Sequence, residues 1–173
     1  RADPGGARAA ALGVGGRVGA SGRDLITAIA LAYEVQCRFC DAASIRARGW
    51  DHPTYGAFST ALAAARLMKL DPEKMRHAVN IAGVNCAAFR QARVGESSHW
   101  KGGAFASAES GGVYAALRAR AGATGPATTL VGQTGLECEP GVTARAVGEG
   151  LGERTMARHG AGDAARGGRE RSD

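Results

Sequence analysis

Aromatic residues are scarce in this 173-residue chain, where two Trp, three Tyr and four Phe make up 5% of the sequence. No stretch interleaves basic side chains with stacking rings, so the usual pattern of a nucleic-acid surface is missing although the net charge is +6. Long apolar runs are missing too: none approaches the ~20 residues that span a bilayer. Residues 1–22 also lack the apolar middle segment of a secretion signal. We therefore expect no nucleic acid, no membrane and a cytoplasmic location. The four cysteines, Cys37, Cys40, Cys86 and Cys138, are too few and too irregularly spaced for a disulfide scaffold. Strand signals are nearly absent, since the only β-branched cluster, Thr128-Thr129-Leu130-Val131, is short and runs into glycine.

Glycine, by contrast, is plentiful and unevenly placed. Of 27 glycines, 7 fall in residues 1–22 and 10 in residues 132–173, leaving 10 for the 109 residues between. Charge divides the chain in the same way. The first stretch has 3 basic and 1 acidic residue and the last has 6 and 7, which leaves 13 basic against 8 acidic in the middle. Ends rich in Gly, Ala and Arg with few large apolar side chains read as linker or disorder. We expect residues 1–20 to be a flexible or non-native segment, residues 21–126 to fold, and residues 127–173 to form a disordered Gly-rich tail. A cationic folded part suits a small acidic substrate.

The middle reads as helices throughout. Ser21-Gly22-Arg23-Asp24 has the form of a capping box, and Leu25, Ile26, Ile29, Tyr33 and Cys37 follow at helical spacing, which predicts a helix over 23–45. A second is expected over 54–68, whose alanines permit close helix contact. Asp71-Pro72-Glu73 supplies a cap, a helix-opening proline and a first-turn acid for a third helix to about Ala82. Residues 83–97 look irregular. A fourth helix should run from Trp100 to Gly122, ending after Arg118 and Arg120, with Thr124-Gly125-Pro126 as its stop. The fold class is all-α, a helical bundle.

Two helix starts carry basic side chains. Lys101 falls in the first turn of the last helix, the wrong end for a cation unless an anion joins it. His52 directly precedes the proline that opens the second helix. Together they would make an anion site if the fold unites them. Each also has a simpler reading, a capping or packing histidine and a solvated surface lysine. Arg90 and Arg93, shortly before Lys101, fit a carboxylate in the forked geometry of guanidinium, or are surface charges. Cys37-Arg38-Phe39-Cys40 has CxxC spacing but sits inside a helix with no second ligand pair, so we read it as packing. Gly13-Val14-Gly15-Gly16-Arg17-Val18-Gly19 is not a dinucleotide loop, because no strand precedes it and its last glycine is out of register. His77 reads as a surface residue of the third helix, and His159 lies in the tail.

The residues also resemble a family. Leu31-Ala32-Tyr33-Glu34-Val35-Gln36, Arg48-Gly49-Trp50-Asp51-His52-Pro53-Thr54-Tyr55-Gly56-Ala57-Phe58, Arg93-Val94-Gly95-Glu96, Trp100-Lys101-Gly102 and Thr124-Gly125-Pro126 are similar to the MmgE/PrpD family, and within it most to 2-methylcitrate dehydratases. The resemblance spans about residues 21–126. It implies an all-α domain with a smaller α+β lid, commonly in a homodimer, and a lyase without cofactor that removes water from 2-methylcitrate to give 2-methyl-cis-aconitate in propionate catabolism. It assigns catalysis to His52 and Lys101. Arg90, Arg93 and Thr54 are expected to bind the tricarboxylate, and no metal is expected.

Departures from the family pattern leave alternatives open. The upstream acidic motif is absent, nothing after Pro126 resembles the lid, and His99 stands where relatives carry an apolar residue. Gly111 and Gly112 fall inside a helix at about 1 kcal/mol each relative to Ala. One alternative is a truncated, inactive helical fragment with non-native flanks that only binds anions or a partner subunit. The other is a decarboxylase or isomerase of a related tricarboxylate.

Overall fold

Cap and periodicity signals translate into five α-helices in a computed structural model that describes residues 5–42, 45–96 and 98–130. They are α1 (Gly6–Val18), α2 (Gly22–Ala42), α3 (Pro53–Leu67), α4 (Pro72–Asn85) and α5 (Trp100–Arg120), with 3-10 turns at Ile45–Arg48 and Arg90–Arg93. Among the described residues the only β-pairing is an isolated antiparallel bridge between Trp50 and Phe89. The molecule is all-α, as its sequence predicts. No helix among these residues is long and apolar enough to cross a membrane.

The local rules act where expected. Ser21 Oγ accepts the Asp24 N–H at 3.2 Å and donates to the Asp24 carboxylate at 2.7 Å, closing the start of α2. Asp71 accepts the Lys74 N–H at 2.9 Å and caps α4, with Pro72 in the first turn. α2 ends at Ala42, short of Ile45, because Ile45 opens the first 3-10 turn and buries its side chain beside Tyr55 and Phe58. Phe39 stacks in the same cluster between Tyr55 and Phe58, with ring centroids 5.8 and 4.9 Å away.

α3 is the central element: 13 of its 15 residues are buried, and it touches each of the other four helices. A helix apolar on every side must be surrounded. Its alanines, Ala61, Ala63, Ala64 and Ala65, let backbones come close. At Gly112 of α5 a methyl group would lie 2.7 Å from the Ala57 carbonyl oxygen and 3.0 Å from the Ala61 nitrogen, so glycine there is required by contact with α3.

The N-terminal reading needs correction. Residues 6–18, expected as linker, form α1, and Ala7, Ala11 and Val14 are buried against Ala28 and Ala32 of α2 and Ala63, Ala64 and Ala65 of α3. Composition hid a helical stripe. Glycine lowers helix propensity by about 1 kcal/mol per residue, but the apolar residues recur at positions 7, 11 and 14, and burying that face offsets the cost. Gly19, at φ 64°, ends the helix in the left-handed conformation.

At the other end, residues 127–130 form a turn packed on α4 rather than the start of a loose tail. Thr129 Oγ1 donates to the Asn80 carbonyl at 3.4 Å, and the Gly125 N–H donates to His77 Nδ1 at 3.2 Å. His77, read as a surface residue, is thus a half-buried acceptor. The rest of the tail, with Cys138 and His159, lies outside the described residues.

Candidate functional site

The His52 motif is shaped by the backbone before any side chain acts. Gly49, at φ 84°, turns the chain out of the first 3-10 helix. Residues 49–51 then run alongside 88–90: the Asp51 N–H donates to the Ala88 carbonyl and the Arg90 N–H to the Gly49 carbonyl, both at 2.8 Å. Trp50 stacks on Phe89 with centroids 5.1 Å apart. Pro53 then opens α3 with His52 just ahead of it.

Within this frame Asp51 is the hub. It is 1% exposed. Its Oδ1 lies 2.9 Å from both the backbone nitrogen and the Nδ1 of His52, and its Oδ2 accepts from Arg93 Nε. Burial pushes its carboxyl up, but the hydrogen bonds from Arg93 and His52 outweigh that and hold it below the ordinary carboxylate range. A buried carboxylate needs such partners.

The two helix starts are brought to one end of the molecule. The Phe105 ring of α5 lies 5.6 Å from the His52 ring and against Gly56, and Gly112 lies against Ala57 and Ala61, so α3 and α5 run in the same direction. Lys101 is four residues before Phe105 and shares its helix face. It is exposed and has no ion-pair partner among the described residues.

The helix ends themselves differ from the simple sequence argument. In α3 the Thr54 N–H donates to the Asp51 carbonyl and the Tyr55 N–H to the His52 carbonyl; in α5 the Lys101 and Gly102 N–H groups donate to Ser98 and His99. These leading donors are occupied. An anion here would meet the side chains and the helix field, not a row of free N–H groups.

The remaining expected residues have definite places. Thr54 is buried, and its hydroxyl accepts the Ala88 N–H at 3.0 Å. Arg93 is held by Asp51. Arg90 is half-buried, with one Nη donating to the Arg46 carbonyl at 3.4 Å. A cleft of about 410 Å³ opens beside them, lined by Cys86, Ala88, Phe89, Trp100 and Ser107 among others. No group of three or more His, Cys, Asp or Glu able to hold a metal ion occurs among the described residues. Sequence reasoning passed over Asp51. An acid directly before a helix-opening histidine was the available signal, but its Arg93 partner stands 42 residues away.

The MmgE/PrpD N-terminal domain model matches residues 3–138. The match begins well before residue 21, where the motifs quoted above begin, and takes in α1. It covers all five helices and the loop that holds Asp51, His52 and Arg93, and on that extent the chain belongs to the MmgE/PrpD family.

Proposed function

We propose that the chain is a hydro-lyase of a tricarboxylate, removing water from 2-methylcitrate to give 2-methyl-cis-aconitate. The observation that supports this reading best is the approach of His52 to the α5 face that bears Lys101, bridged by Phe105. Dehydration takes a proton from a carbon next to a carboxylate. The electron pair left behind becomes the new C=C bond as the C–O bond breaks, and the departing hydroxide gains a proton to leave as water. Negative charge grows on a substrate that is already trianionic, so a nearby cation lowers the barrier. Lys101 supplies that cation. His52 carries the proton, because an imidazole ring nitrogen can both take and return one.

Both arginines keep donors for a substrate carboxylate: Arg93 gives its Nε–H to Asp51 and Arg90 gives one Nη to the Arg46 carbonyl, which leaves other guanidinium N–H groups on each. The test is ultraviolet absorbance during incubation of the purified chain with 2-methylcitrate, since the product contains a new conjugated double bond. Absorbance should rise with the parent chain and stay flat with Lys101→Met, both shown to be folded by circular dichroism. A flat trace from the folded parent chain, or an unchanged rate in the variant, would sink the proposal.

A further inference from the structure

We infer that Asp51 is a positioning residue for His52: it holds a proton on Nδ1 and leaves Nε2 bare as the atom that meets substrate. This rests on the role proposed for His52 above, but its structural half can be tested without any reaction.

An ionised carboxylate only accepts hydrogen bonds. The group 2.9 Å from Asp51 Oδ1 is His52 Nδ1, so that nitrogen must be the donor. The neutral ring then carries its lone pair on Nε2. Both oxygens of the acid are fixed. Oδ1 also takes the His52 backbone N–H at 2.9 Å, and Oδ2 takes Arg93 Nε–H. Asp51 therefore cannot rotate without breaking three hydrogen bonds at a buried site.

Arg93 is itself placed by tertiary structure. It closes the 3-10 turn that follows the 88–90 segment, and that segment is pinned to residues 49–51 by two backbone hydrogen bonds. The His52 ring is braced a second time by Phe105, tilted 35° to it, while its side chain stays 28% exposed. A ring held on one nitrogen, packed on one face and open elsewhere is what proton transfer at the other nitrogen requires.

Asp51→Ala gives a sharp test because it removes both acceptor oxygens. Nothing then holds a proton on Nδ1, and the neutral ring reverts to the Nε2–H form that a free imidazole side chain favours. The experiment is a long-range ¹H–¹⁵N correlation spectrum of the full chain with ¹⁵N-histidine, recorded above the imidazole titration and assigned with His52→Gln. The parent chain should show Nδ1 protonated and Nε2 bare, and Asp51→Ala should show the reverse. In turnover of 2-methylcitrate the variant should lose roughly 10²- to 10⁴-fold in kcat, with KM little changed.

Nε2 protonated in the parent chain, or the same tautomer in both proteins, overturns the inference. The parent spectrum decides even if the variant fails to fold. A tautomer that reverses in a protein with no turnover supports the positioning and removes only the dehydratase reading. A reversed tautomer with an unchanged rate overturns the functional half of the inference.

Discussion

Small differences in the surroundings of single residues set opposite outcomes for similar substitutions. Gly112→Ala would gain helix propensity but press a methyl group on the α3 backbone, 2.7 Å from the Ala57 oxygen. Backbone in a packed helix cannot yield as a side chain can, so the variant should lose about 1–3 kcal/mol in urea denaturation. Gly16→Ala in α1 meets nothing within 4 Å and should gain about 0.5–1 kcal/mol in the same assay. Glu109 is a different case. It is buried, its Oε1 has no hydrogen-bond partner, and burial pushes its carboxyl above the ordinary 4.5. The folded chain thus binds this proton more tightly than the unfolded chain. Its contribution to stability is full below pH 4.5 and is lost as pH rises through the folded value. Glu109→Gln should therefore melt higher than the parent near neutral pH, with the difference fading below about pH 4.5; thermal melts across pH check this.

At the scale of elements, caps and faces act separately. Asp71 is exposed and meets α4 through its cap and a surface ion pair with Lys74 at 3.9 Å that adds little, so Asp71→Ala should cost about 1 kcal/mol in urea denaturation and leave the burial of Ala78 and Ala82 intact. α1 owes its place to its buried face. Deleting residues 1–18 uncovers Ala63, Ala64 and Ala65 at the centre of the molecule, and should lower the melting temperature and broaden the transition. A linker would leave the melt unchanged. The helices with strong end signals were legible: the Ser21–Asp24 box, the Asp71 cap, and Arg118 and Arg120 closing α5. α1 was not, because no side chain caps it and its glycines outweigh its alanine stripe when composition alone is counted.

For the whole molecule, the question is which of these local pieces meet. Helix starts are decided within three or four residues, since a cap, a proline at the first position and an apolar period all act on neighbouring backbone. That is why an all-α chain, four of its five helices, the family resemblance and the pairing of His52 and Lys101 as candidates could all be read from the residues in order. The partners of those residues could not. Arg93 reaches Asp51 across 42 positions, and the Phe105 ring of α5 reaches His52 at the start of α3. Both contacts exist only because Gly112 lets α5 settle on α3 and because the 88–90 segment pairs with 49–51. Sequence by itself determined where the helices begin and which charges stand at their ends. Tertiary structure alone decided that Arg93 serves a buried acid and that Phe105 of α5 braces the histidine beside it, because those contacts join residues far apart in sequence and form only after small-residue helix faces have packed.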